Sequence, residues 1–195
     1  MTKIWLLVFI VLTFVFSTSA QNSPPKTVTD FFLSLPEKYF APYINGEGAT
    51  PNLRDYRKSI IKIEDIKNGY LRIEEPTTEG WAEVAIFKKT NGKYIVGISQ
   101  VGCGPSCSSE ETFLSYENGN WQEITAQVLP KITEAQVNAA YKRGKVSKEN
   151  QSGLLVYELP RTGTTIKVKT GDDDAAEVVL FELNWNGANF VLKSK

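Results

Sequence analysis

Four of the chain's five Asn-Gly pairs constrain it more than any other feature: Asn68-Gly69, Asn91-Gly92, Asn118-Gly119 and Asn186-Gly187. Asn and Gly tolerate the positive φ angles of a two-residue type I′ turn, whose twist matches that of a hairpin. Each pair is flanked by strand-like sequence and followed within three residues by an aromatic: Tyr70, Tyr94, Trp121 and Phe190. Each pair therefore predicts two antiparallel strands. Two-residue turns set the register. Tyr116 should face Trp121, and Phe113 should face Ile124. Phe87 should face Val96, and Ala85 should face Ile98. Leu183 should face Phe190, and Phe181 should face Leu192. Cross-strand pairs of this kind are worth roughly 0.2–1 kcal/mol each. The uneven spacing of the four turns describes a meander and excludes a fixed-period solenoid.

Helices punctuate the strands. Val28, Phe31, Phe32 and Leu35 recur at helical spacing over 27–35, with Pro36 as the limit, and a short turn through Tyr39 and Phe40 is expected next. The best-marked helix is 134–143. Thr133 is its N-cap, Gln136 completes a capping box, and Ile132 can staple onto Val137. Lys142 and Arg143 suit its negative end, with Gly144 as the C-cap. The polar stretch 145–152 is where the domain would subdivide, and 154–159, 164–169, 177–184 and 189–193 read as four further strands. Pro24-Pro25 marks 21–26 as a flexible leader, and 45–52 is a loop rich in Gly and Thr.

The first 20 residues read as an export signal. Lys3 supplies a weak positive start, 4–16 is apolar except for Thr13, and Thr18 and Ala20 are the small residues before a cleavage point. A bilayer core needs about 20 apolar residues, so this run is too short to be an anchor, and no later segment is apolar enough to span. Cleavage after Ala20 removes 20 of the 195 residues and leaves 175, a length that suits one domain, 27–195, after the leader. Lys+Arg and Asp+Glu number 22 each, so loss of Lys3 leaves one excess negative charge. Bulk charge recruits neither nucleic acid nor anionic lipid. At 42% hydrophobic and 11% aromatic residues, the chain is a folded globule, not a disordered tail.

The chain has no histidine. That removes Ser-His-Asp and Cys-His catalysis and histidine-ligated metal sites. No cofactor motif is present. The only two cysteines, Cys103 and Cys107, enclose Gly-Pro-Ser. An exported chain meets an oxidising compartment, and an even cysteine count there favours a disulfide. Closing so small a loop is worth about 2 kcal/mol in the chain-entropy model. The competing reading is a thiol-redox site, which needs a cysteine of lowered pKa, usually at a helix N-terminus. Strand-like sequence on both sides favours the staple, placed on the crossing between two hairpins.

Other motifs have ordinary readings. Leu159-Pro160-Arg161-Thr162-Gly163 spells a cell-wall sorting signal, but alternating sequence follows instead of an apolar stretch, so a turn between strands is expected. Asp172, Asp173 and Asp174 are weak candidates for a hard-cation site; they lack the spaced ligands of a calcium loop, and a solvated turn is favoured. Asn150-Gln-Ser152 matches a glycosylation acceptor. Glu74, Glu75, Glu110 and Glu111 could supply a hydrolase carboxylate pair, although adjacent residues on a strand point to opposite faces.

Leu35-Pro36 after a helix, Asn68-Gly-Tyr-Leu-Arg72, Cys103-Gly-Pro-Ser-Cys107 and Trp121…Val128-Leu-Pro130 occur in an order that resembles a group of uncharacterised exported bacterial proteins. Those proteins share the signal, the Asn-Gly hairpins and a short Cys-x3-Cys loop. The resemblance covers most of 27–130. It implies a bacterial envelope location, secreted or periplasmic, and carries no activity or site residue with it.

The expected architecture is α+β: an antiparallel, hairpin-built sheet or twisted sandwich with a few short helices, and with helix 27–35 over one face. Whether 154–193 continues that sheet or forms another is open. The expected function is that of a non-enzymatic envelope protein that binds a protein, peptide or glycan, since Tyr and Trp suit recognition surfaces. The alternative is an enzyme: a thiol oxidoreductase using Cys103 and Cys107, or a carboxylate-based hydrolase.

Overall fold

A computed structural model describes residues 24–42, 51–75, 79–171 and 178–193. The signal segment, the start of the leader, most of the loop at 45–52 and the Asp172, Asp173, Asp174 triplet lie outside the described residues.

The fold is mixed α+β, with two antiparallel sheets and a few short helices. The first sheet is a six-stranded meander in chain order: β1 (Ile61–Asp65), β2 (Tyr70–Ile73), β3 (Gly80–Lys88), β4 (Tyr94–Cys103), β5 (Cys107–Glu117) and β6 (Asn120–Glu123). The final segment forms its own sheet from β7 (Leu155–Glu158), β8 (Thr165–Thr170), β9 (Val179–Trp185) and β10 (Phe190–Leu192), in the order β10-β9-β8-β7. The helices are α1 (Val28–Leu33), α2 (Leu53–Ser59), α3 (Thr125–Val128) and α4 (Glu134–Gly144).

Both faces of the first sheet are covered, which is why β3 and β4 read as nearly continuous apolar runs and not as strict alternation. On one face Leu71, Ile73, Val84, Val96, Ile98 and Leu114 pack with Val28, Phe31 and Phe32 of α1, so the helix expected over 27–35 does cover a face. On the other face Tyr70, Ala85, Phe87, Ile95 and Phe113 share a core with α4 and with Ile166, Val168, Leu183 and Phe190 of the second sheet. Phe190 lies edge-on to Phe87, with ring centroids 5.0 Å apart, and 5.2 Å from Phe113. A side chain at Gly97 would put its Cβ 2.6 Å from the Phe113 ring and 3.1 Å from the Phe87 ring, so the strand admits only glycine beneath this cluster.

These four Asn-Gly pairs connect antiparallel strands, but only one makes the turn expected of it; the fifth pair, Asn45-Gly46, lies outside the described residues. Asn118 and Gly119 both have positive φ (51° and 84°), and Tyr116 faces Trp121 as expected. At Asn91-Gly92 the turn is one residue longer. Gly92 N–H donates to the Lys89 carbonyl (3.0 Å), Lys89 N–H donates to the Lys93 carbonyl (2.7 Å), and only Gly92 is left-handed. Phe87 therefore faces Ile95, not Val96, and Ala85 faces Gly97, not Ile98. A one-residue slip flips faces, which sends Val96 and Ile98 to the α1 side. At Asn186-Gly187 a four-residue loop closes from Asn186 N–H to the Asn189 carbonyl (3.1 Å), so Leu183 faces Leu192 and Phe190 faces Trp185. At Asn68-Gly69 the link is a 3-10 turn, Ile66–Asn68, and Gly69 alone takes positive φ. The physical reason recurs at 91 and 186. Asn91 Oδ1 accepts from Lys93 N–H (3.1 Å), and Asn186 Oδ1 accepts from Ala188 N–H (2.9 Å). An asparagine that bonds the backbone two residues on builds an Asx turn, not a type I′ pair.

The helix signals held better. Thr133 and Gln136 form the expected capping box. Helix α4 runs one residue past its expected end, and Lys145 (φ 53°), not Gly144, takes the left-handed cap. Gly144 instead lies where a Cβ would come 3.0 Å from Val178. Helix α2 was not expected from sequence. Asn52 caps it, its Oδ1 accepting from Arg54 and Asp55 N–H (3.0 and 3.2 Å). It carries Arg57, which is fully buried. The guanidinium donates to the carbonyls of Leu35 and Pro36 (2.8 Å each) and of Tyr39. Arg57 thus ties α2 to the turn that follows α1.

A candidate ligand cleft and the disulfide hairpin

Cys103 ends β4 and Cys107 opens β5; they face each other directly, with Cα atoms 4.1 Å apart, and form a disulfide. They do not lie on a crossing between hairpins, as the sequence reading placed them. They close a hairpin of their own, whose strands pair without interruption from Ile95↔Ser115 to the disulfide. Residues 104–106 make the tip, and Gly104 N–H donates to the Ser106 carbonyl (3.2 Å). The tip is held from two sides. Cys103 N–H donates to the Glu79 carbonyl (3.3 Å) and Cys107 N–H to the Gly171 carbonyl (2.6 Å). Gly171 must be glycine, because a Cβ there would strike the Cys107 carbonyl oxygen.

The sorting-like run at 159–163 is the connection between β7 and β8. Gly163 has positive φ (78°), and Arg161 Nε donates to Asp65 Oδ2 (2.9 Å). Asn150 of the glycosylation-like tripeptide ends a 3-10 turn, Lys148–Asn150.

A row of polar side chains crosses the inner face of the first sheet. Register places Arg72, Glu83, Ser99 and Glu111 side by side on β2, β3, β4 and β5. Strand β7 passes over this row with one edge bonded to β8 and the other unpaired by any strand. The first sheet's side chains satisfy that second edge. Ser99 Oγ donates to the Tyr157 carbonyl (2.7 Å), Tyr157 N–H donates to Ser109 Oγ (2.8 Å), and Leu159 N–H donates to Glu83 Oε2 (2.7 Å). Tyr70 Oη completes Glu83 by donating to Oε1 (2.9 Å). Burial holds the Glu83 carboxyl above its ordinary range, against the pull of the Leu159 and Tyr70 hydrogen bonds. Glu111 accepts from Ser109 Oγ, and burial pushes its pKa up to about 7. Ser109 and Ser99 are committed to β7, so neither is a free nucleophile. Glu110 and Glu111 sit on opposite faces, Glu110 exposed, and make no catalytic pair.

Aromatics and carboxylates do converge at the end of the first sheet near the hairpin tip. A cleft of about 240 Å³ there is lined by Phe40, Ile73, Glu75, Glu79, Trp81 and Gln100, among others. Five segments build it. Phe40 comes from the stretch between α1 and α2 and holds a left-handed φ of 53°. Ile73 ends β2, Glu75 and Glu79 lie in the β2–β3 connection, Trp81 is the second residue of β3, and Gln100 lies on β4. Burial raises the Glu75 carboxyl pKa, opposed by a hydrogen bond from the Tyr56 hydroxyl. The Arg72 guanidinium stacks on Trp81, 4.6 Å from the ring centroid, and pairs with Glu74 (3.2 Å) and Glu83 (3.9 Å). Of the cleft residues, only Glu75 was singled out from sequence. Glu79, Trp81, Gln100 and Phe40 carry no local pattern, because their proximity depends on the pairing of β2, β3 and β4.

Among the described residues no group of three or more His, Cys, Asp or Glu could hold a metal ion, and no helix is long and apolar enough to cross a membrane. Neither a protein-family model nor a curated protein matches this chain. Among solved structures it is similar to a domain of an uncharacterized protein from Porphyromonas gingivalis W83, at 13% identity and a TM-score of 0.50, over 86% of this chain and 98% of that one. At that identity the likeness speaks to fold alone.

Proposed function

We propose that this is an exported, non-enzymatic binding protein of the bacterial envelope, and that its ligand docks in the cleft at the end of the first sheet. One observation carries the reading: Phe40 and Trp81 share a single concave site with Glu75, Glu79 and Gln100. Sites of this kind combine an apolar wall with a few polar groups that fix orientation. The disulfide stiffens the tip beside the cleft. The signal-like first 20 residues and the cysteine pair suit an oxidising compartment. A larger depression beside α1 is a weaker candidate. Its lining mixes Lys26 and Arg54 with Asp30, and the indole N–H of its Trp121 is used by the Ser34 carbonyl (2.9 Å).

The test is a panel of peptides and glycans titrated against the protein, read at the indole N–H resonance of Trp81. A saturable shift that is lost in Gln100→Ala supports the cleft. A panel that leaves Trp81 unmoved while shifting Trp121 relocates the site to the α1 depression. A second reading has one observation in its favour: burial holds Glu75 above the ordinary carboxylate range while Glu79, in the same cleft, is exposed. Two carboxyls in unlike settings are what a hydrolase uses. Release of reducing ends from a glycan, abolished in both Glu75→Gln and Glu79→Gln, would replace the binding reading.

A further inference from the structure

The cleft has a size and a charge that narrow its ligand. At about 240 Å³ it is smaller than the ~300–1,000 Å³ usual for a cofactor or drug-sized molecule, so it holds one long side chain or a single ring. Two carboxylates, Glu75 and Glu79, line it, and among the described residues no lysine or arginine does. Both guanidinium groups on neighbouring segments are already engaged: Arg72 is stacked on Trp81 and paired with Glu74 and Glu83, and Arg57 donates to the Leu35, Pro36 and Tyr39 carbonyls. Phe40, Ile73 and Trp81 supply apolar wall beside the carboxylates. A long cationic side chain has the matching profile, an apolar stem with a charged head. A neutral sugar would use the aromatic wall but bring no positive charge to the two carboxylates.

We infer that the cleft takes a lysine or arginine side chain of a partner polypeptide, with Glu75 and Glu79 as its counter-charges and Phe40 and Trp81 as the wall for its stem. This rests on the reading of the cleft as the binding site. Rim and cleft charges of one sign also steer the encounter, so binding should weaken as salt is raised.

The experiment titrates the protein with an arginine-centred alanine pentapeptide, its neutral citrulline counterpart and a neutral chito-oligosaccharide, following the assigned indole N–H resonance of Trp81. The Trp121 and Trp185 resonances report that each variant remains folded. Neither lines the cleft, and their N–H groups donate to the Ser34 and Lys88 carbonyls (2.9 and 2.8 Å), bonds that span 87 and 97 residues of chain. Saturable binding of the arginine peptide is expected, with the citrulline peptide weaker by about tenfold or more and Glu75→Gln and Glu79→Gln each weakening it by about tenfold. Equal binding of the two peptides, or binding of the oligosaccharide alone, overturns the charge inference and leaves the cleft as a binding site. If none of the three moves Trp81, both readings fall.

Discussion

Glu111→Gln should stabilise the protein above pH 7 and lose that advantage below pH 5. Glu111 lies on β5 with its carboxylate turned to the face that β7 crosses, and it accepts from Ser109 Oγ. Burial is the larger influence and outweighs that hydrogen bond, so the pKa stands at about 7 against an ordinary 4.5. The sign follows from which state releases its proton first. As pH rises from 4.5, the unfolded chain ionises this carboxyl freely while the folded chain holds it neutral. The folded state therefore loses stability until about pH 7, where it ionises too. At ~1.36 kcal/mol per pH unit, the interval from 4.5 to about 7 amounts to about 3 kcal/mol, and screening at this partly exposed position reduces the expectation to about 2 kcal/mol. Glutamine keeps the acceptor for Ser109 and has no charge to desolvate. Glu83 and Glu75 are raised in the same direction, but they are present in both proteins and cancel in the difference. Tyr157, which faces Glu111, is pushed up to about 12 and does not titrate in this window. The assay is urea unfolding at pH 5 and pH 8 of both proteins. The stability difference between variant and wild type should grow by about 2 kcal/mol from pH 5 to pH 8, a midpoint change of about 1 M at usual m values. Parallel pH profiles for the two proteins would refute the desolvation argument.

Other perturbations test the remaining supports. Arg57→Lys should cost about 2–4 kcal/mol in urea unfolding, because a single ammonium cannot reach the carbonyls of Leu35, Pro36 and Tyr39 at once and at least one is left unpaired. Gly97→Ala should lower stability by about 1–3 kcal/mol by forcing Phe113 and Phe87 apart, and a neutral result in a thermal melt would show that the rings can give. Replacing both cysteines by serine should cost about 2 kcal/mol and leave the circular dichroism spectrum unchanged; loss of the fold would mean that the staple is needed to set the β4–β5 register.

The hairpins were legible because turn chemistry is local. Asn-Gly marked four chain reversals correctly, and the cross-strand aromatic pair at Tyr116 and Trp121 followed. The turn type was not legible, because one side chain offers two uses. Asparagine can take positive φ itself or keep ordinary φ and bond the backbone ahead of it, and the choice moved the register by one residue at Asn91 and by two at Asn186. The hairpin closed by Cys103 and Cys107 was missed for a related reason. Its tip has no Asn-Gly, and the disulfide performs the closure that turn residues perform elsewhere. Helix α2 was missed because its apolar residues are few; what anchors it is Arg57, a charged residue whose burial depends on three carbonyls from another segment.

The polar row under β7 shows why the candidate site resisted sequence reasoning. An edge strand laid across a sheet must satisfy its outward backbone groups, since each left unpaired in the interior would cost about 1–3 kcal/mol. Here Glu83, Ser99 and Ser109 do this in place of a neighbouring strand, and they lie 16 or 10 residues apart in the chain. Read singly, each is a polar residue in an apolar strand. Read together through the register, they are the attachment of the second sheet to the first. The perturbed carboxyl of Glu111 belongs to that attachment through its hydrogen bond from Ser109. The carboxylates that share a cleft with aromatic side chains are Glu75 and Glu79, at the β2–β3 connection next to the stapled tip. A fold that commits its inward polar groups to holding its sheets together leaves recognition to the end of the first sheet, and a binding search should begin there.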